Sequence, residues 1–264
     1  MNDKSDYFLT EFLKPKKNTD DNLSIRLSIL FLLKHLAPQK FKELQLDTHL
    51  DSVTPEIKGK VEQSRSVLKR VISKIKAMAE QPTSLYDLQS KLDYWYYTKL
   101  LGYGDTYKVD DKIIKTFMTD ARIKNVTDPK DAVILYIYIR TLSYCDSKNY
   151  GRLNKYVPLL KKVAKQDYYL HAYFLTHVIL YDTQFGQKKA RKSSFEALKE
   201  LDSFCEKQLK FERENVDLMA EIIICCKLCQ AYDFPFYSKL VKNITPTETF
   251  LNYHENAVLA VATF

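Results

Sequence analysis

Two kinds of apolar segment alternate along this chain, and the alternation confines it to a layered helical fold. Segments of the first kind are apolar almost all the way round. They cover about 22–36, 84–101, 131–145, 168–183, 216–232 and 247–264. Segments of the second kind carry one apolar stripe and a charged face, over about 57–80, 110–124, 152–165 and 189–211. In 57–80 the stripe is Val61, Leu68, Val71, Ile72, Ile75 and Met78, spaced by threes and fours, while Lys58, Lys60, Glu62, Lys69, Arg70 and Lys74 mark the wet side. A helix apolar on every side must be covered on every side, whereas a striped helix covers something on one side only. Alternating the two kinds builds an inner and an outer layer.

An apolar run such as Ala132-Val133-Ile134-Leu135-Tyr136-Ile137-Tyr138-Ile139 also suits a buried strand. The residues before it decide for helix. Asp128-Pro129 sets a capping side chain ahead of a proline at the first helical position, and Thr54-Pro55-Glu56 and Thr245-Pro246-Thr247-Glu248 repeat the device. Ser84 followed by Asp87 is a weaker form of it. Five glycines and eight prolines are too few for the turns of a β-rich protein. The chain therefore reads as all-α, with residues 1–20 an N-terminal arm, 37–53 a loop, and 21–264 a single domain of helical hairpins. Several inner segments end alike, in Leu101-Gly102-Tyr103-Gly104-Asp105, Tyr144-Cys145-Asp146, Tyr181-Asp182-Thr183-Gln184-Phe185-Gly186 and Ala231-Tyr232-Asp233-Phe234-Pro235. An open α-solenoid would expose a polar stripe on its inner helices. These inner helices carry isolated polar residues instead, which favours a closed α/α toroid, with the solenoid as the alternative.

The five cysteines are odd in number and three lie in one apolar run, which suits a reducing compartment rather than a disulfide scaffold. The polar start Met1-Asn2-Asp3-Lys4-Ser5-Asp6 has no signal-peptide core, and no apolar run reaches the ~18 residues of a membrane span. The expected location is cytoplasmic, away from membranes. The net charge of +8 is spread along the chain. Its densest run, Gln187-Lys188-Lys189-Ala190-Arg191-Lys192, reads as a solvated helix start, so nucleic acid is not the expected partner.

Polar residues on inner helices are the informative exceptions, because burying them is costly. They are Arg26, Asp93, Arg140, His171, Thr176, His177, Asp217, Glu221 and His254. Counted from each helix start at ~1.5 Å per residue, His177, Glu221 and His254 fall at similar depth. Asp217 and Glu221 are four apart and share a helix face. Two imidazoles and a carboxylate suit a divalent metal held by His177, Glu221 and His254. They equally suit metal-free acid–base chemistry with Asp217 as a fourth member, or a purely structural role. Tyr181, Asp182, Arg140 and His171 are expected to line the same ligand site. The occupant would be a small molecule or a peptide; a protein partner fits the structural reading. Cys226-Lys227-Leu228-Cys229 is a lone CxxC in mid-helix and reads as buried small hydrophobes. Tyr94-Trp95-Tyr96-Tyr97 reads as core.

Over about 168–264 the chain resembles an uncharacterised group of bacterial α/α-barrel domains of unknown function. Tyr173-Phe174-Leu175-Thr176-His177-Val178-Ile179-Leu180-Tyr181-Asp182-Thr183-Gln184-Phe185-Gly186 is similar to that group's "LTH…Y.TDFG" signature, with Gln184 in place of its acid. Val216-Asp217-Leu218-Met219-Ala220-Glu221 resembles its "DLLAE" helix, and Tyr253-His254 its "YH". The resemblance implies a toroid and singles out His177, Asp217, Glu221 and His254. It implies no activity.

Overall fold

The structure is a computed structural model that describes residues 88, 91–93, 95, 96, 99, 108–210 and 215–243. The arm at 1–20, the loop at 37–53, the segments 22–36, 57–80 and 247–264, the capping motifs at Thr54, Ser84 and Thr245, and the residues Arg26 and His254 lie outside the described residues. Chain contacts cluster into two compact units, residues 1–118 and 119–264.

In the first unit, Leu88, Lys91, Leu92, Asp93, Trp95, Tyr96 and Lys99 are helical, and Leu88, Leu92, Trp95 and Tyr96 are buried. The aromatic pair is core, as the sequence predicts. Burial raises the Asp93 carboxyl to about 7. Helix α1 (Asp111–Phe117) closes the unit, capped by Asp110, whose Oδ1 accepts from Lys112 N at 2.7 Å.

The second unit holds α2 (Asp120–Lys124), α3 (Pro129–Cys145), α4 (Ser147–Tyr150), a 3-10 turn at Gly151–Tyr156, α5 (Val157–Ala164), α6 (Tyr168–Asp182), α7 (Lys192–Lys207), α8 (Val216–Leu228) and α9 (Tyr237–Asn243). No strand occurs among the described residues, so the described fold is all-α. Asp128 Oδ1 accepts from Lys130 N at 2.7 Å ahead of Pro129, so the predicted cap does start α3. The striped segment 110–124 is two short helices, because Thr119 leaves the helix to cap α2, its Oγ1 accepting from Arg122 N at 3.1 Å. Helix α9 follows Pro235 and was not anticipated; at seven residues it is too short for a periodic pattern to register.

The layering follows from the two kinds of helix. Helices α3, α6 and α8 are apolar around most of their circumference and bury most of their residues. α6 packs against both α3 and α8. The one-sided helices α5 and α7 lie over this row, α5 on α3 and α6, α7 mainly on α6. Leu175 and Ile179 of α6, Leu198, Leu201 and Phe204 of α7, Leu218, Met219 and Ile222 of α8, and Leu240 of α9 share one core. Tyr136 of α3 packs on Phe174 of α6, with ring centroids 4.4 Å apart.

α6 and α8 end in the same turn. Gln184 and Gln230 take left-handed φ values of 48° and 54°. Phe185 N then bonds Leu180 O at 2.7 Å, and Ala231 N bonds Cys226 O at 2.9 Å, closing two Schellman motifs. The left-handed run continues through Phe185 to Gly186, at φ 92°. α3 ends differently, at an extended Asp146 that caps α4. The shared exit turn predicted from sequence is therefore real for α6 and α8 and absent at α3, while the one at Leu101–Asp105 lies outside the described residues.

Candidate functional site

His177 is the tenth residue of α6 and Glu221 the sixth of α8. The packing of these two helices brings His177 Nδ1 to 4.0 Å from Glu221 Oε2. Nδ1 also lies 2.7 Å from the Tyr173 carbonyl one turn earlier. A carbonyl only accepts, so Nδ1 carries the proton and the neutral ring presents its lone pair at Nε2. Burial pushes the imidazole below its ordinary value; the Tyr173 bond and the nearby Asp217 charge pull it up without cancelling that effect. The side chain keeps 19% of its exposure.

Glu221 is almost fully buried, and Thr176 Oγ1, fully buried, donates to its Oε2 at 2.5 Å. That bond crosses from α6 to α8. A second crossing runs parallel to it, from the Tyr173 hydroxyl to Asp217 Oδ2 at 3.2 Å. Asp217 Oδ1 is buried and accepts no hydrogen bond among the described residues. Tyr173 thus serves the site twice, orienting His177 with its carbonyl and Asp217 with its hydroxyl. Sequence reasoning singled out neither Tyr173 nor the Thr176–Glu221 bond. Tyr173 looks like any core aromatic, and both bonds to α8 span more than forty residues.

The other predicted residues divide into two further places. Tyr181 is one turn beyond His177; its ring stacks loosely on the imidazole, centroids 6.5 Å apart, and its hydroxyl meets Thr141 Oγ1 at 3.0 Å. Arg140 and Asp182 bind each other, Nη2 to Oδ1 at 2.9 Å. Ser193 at the start of α7 donates to Asp182 Oδ2, and Asn154 accepts from Arg140 Nη1 at 3.3 Å. This cluster ties α3, α6, α7 and the 3-10 turn together, and its charged groups are mutually engaged. His171 faces the outer layer. Its buried Nε2 lies 3.5 Å from Glu200 Oε2, and Glu200 is bonded by Lys161 and approached by Lys165 at 3.4 Å. Burial lowers His171 to about 4, against the pull of Glu200.

His254 lies outside the described residues, so the expected metal triad is represented by His177 and Glu221 alone. Among the described residues no group of three His, Cys, Asp or Glu side chains is disposed to hold a metal. The cysteines are all buried free thiols. Burial raises Cys205 to about 12 and Cys229 to about 11, and lifts Cys225 and Cys226 further. Protonated buried thiols behave as small hydrophobes, the role expected for the CxxC. Among the described residues no helix is long and apolar enough to cross a membrane.

Residues 168–244 match a family model described as a domain of unknown function, DUF6895. The match runs from the first residue of α6 to just past α9 and contains His177, Asp217 and Glu221. No curated protein and no solved structure matches the chain.

Proposed function

We propose that the chain binds a small molecule or peptide at the cluster formed by His177, Asp217 and Glu221, and acts on it by acid–base chemistry at His177. The observation that carries this reading is the imidazole held by the Tyr173 carbonyl with Nε2 as acceptor. A ring that is neutral near pH 7 can take a proton from a bound ligand. The imidazolium so formed lies near Asp217, whose charge offsets part of the cost of charging a largely buried ring. Tyr173 and Thr176 hold the two carboxyls in place. In this reading the hairpins close into an α/α toroid, His254 comes from the last inner helix, and the site opens at the mouth. Such a third donor would also complete a site for a divalent metal, with His177 bound through Nε2 and oriented by its Nδ1 bond.

A second reading, a non-catalytic helical-repeat module for protein interaction, has one specific observation in its favour. The Thr176–Glu221 and Tyr173–Asp217 bonds both cross from α6 to α8 and would fix helix register with no ligand at all. Imidazole ¹⁵N spectroscopy combined with a ligand screen separates the two. The catalytic reading expects His177 with a protonated Nδ1 at pH 7 and a resonance that moves with a bound small molecule or peptide. Glu221→Gln should then keep the fold while weakening that response. A severe loss of stability in Glu221→Gln, with no ligand moving His177, favours the interaction module.

A further inference from the structure

One acceptor of the site has no donor among the described residues. Asp217 Oδ1 is buried without a hydrogen-bond partner among the described residues, although its sister oxygen takes the Tyr173 hydroxyl. The His177 Nδ1 proton goes to the Tyr173 carbonyl, and Nε2 remains an acceptor. The single Thr176 hydroxyl proton is already taken up between Glu221 Oε2 and the Tyr173 carbonyl, at 2.5 and 2.9 Å. Glu221 stands one helical turn from Asp217 and adds a second carboxyl to the same stretch of α8. No described Lys or Arg approaches Asp217 within ion-pair distance, and Arg140 is engaged by Asp182. Leaving a buried carboxylate oxygen without a donor is costly, so it calls for a physical reason.

Resting on the ligand-site reading above, we propose that the ligand is an amine, bound as its ammonium ion with one N–H on Asp217 Oδ1. An ammonium group has three donors and no acceptor, which complements a site made of a carboxylate oxygen and an imidazole lone pair. A carboxylate or phosphate would meet like charge and bring still more acceptors. The chain as a whole carries +8, so it repels cations at long range. Selectivity for an ammonium group must then come from contacts within the site.

The test is calorimetric titration of the full chain, with His177 imidazole resonances followed in parallel. The probes are n-butylammonium, a capped Ala-Lys-Ala peptide, 1-butanol and butyrate. At least one ammonium probe should bind and move His177, while butanol and butyrate do neither. Response to the peptide alone assigns the amine to a lysine side chain; response to n-butylammonium assigns it to a free amine. Asp217→Asn should weaken ammonium binding at least about tenfold, as loss of a charge-assisted hydrogen bond does. Should that variant fail to fold, the ranking of probes on the unaltered chain decides. Butanol or butyrate binding at His177 as tightly as the ammonium probes would overturn the inference while leaving a ligand site standing. Silence of His177 towards all four would sink both.

Discussion

The two polar clusters on α6 make opposite use of buried charge. At the end of the helix, Asp182 accepts from Arg140 and from Ser193, and Arg140 also reaches Asn154. One helical turn earlier, His177 keeps an acceptor nitrogen and its neighbour Asp217 keeps an oxygen with no donor among the described residues. The first cluster has its charged groups paired and joins four elements; the second also joins two helices, yet leaves one carboxyl oxygen with no donor among the described residues. Both looked equally promising as sequence, since both are polar residues on apolar helices. The difference lies in the bookkeeping of donors and acceptors.

The comparison can be broken most decisively at His177. His177→Gln should remove at least ~100-fold of any turnover on a bound ligand, the usual weight of a general base, and change stability by less than about 1 kcal/mol. Kinetics and urea denaturation read the two numbers, and a large stability loss with activity intact would erase the contrast. Next in size is Asp182→Ala, which leaves Arg140 partly buried without its partner and should cost about 2–3 kcal/mol. A loss under about 0.5 kcal/mol would mean that the saturated cluster joins nothing.

His171 sharpens the comparison through pH. Its folded-state value, about 4, lies below its ordinary 6.5, so the unfolded chain takes up the proton first as pH falls. The stability of residues 119–264 should be intact above pH 6.5 and decline between 6.5 and 4, and His171→Gln should flatten that decline. Asp93 in the other unit has the opposite sign. Its value is raised to about 7, so its contribution is full at low pH and is lost as pH rises from 3.8 towards 7. Hydrogen exchange followed residue by residue across pH distinguishes the two. The smallest effect belongs to the exit turns, where Gln184→Gly or Gln230→Gly should stabilise by roughly 0.5–1 kcal/mol through relief of the left-handed backbone. Equal melting temperatures for parent and variant would indicate that the turn stores no strain.

Much of the fold was legible in the residues. Asp128-Pro129 announced the start of α3, and the unbroken apolar runs of α3, α6 and α8 marked them as the inner row beneath striped α5 and α7. The break of segment 110–124 at Thr119 was not legible, because the stripe continues across it while the hydroxyl caps the next turn. Of the site, the sequence picked out His177, Asp217 and Glu221 from their polarity on apolar helices. It grouped Arg140, Asp182 and His171 with them, and these belong to separate clusters.

The sequence by itself determined that the long described segments are helices, that α3 begins after Asp128, and which of their sides must be covered. Those properties depend on residues a few positions apart, and helical periodicity writes them along the chain. Only the tertiary structure decided that Tyr173 serves both His177 and Asp217, that Asp182 takes Arg140, and that Glu200 takes Lys161. All but the Tyr173–His177 bond join residues roughly forty positions apart. Such pairings depend on how one helix is rotated and shifted against another, and the packing of many apolar side chains together sets that.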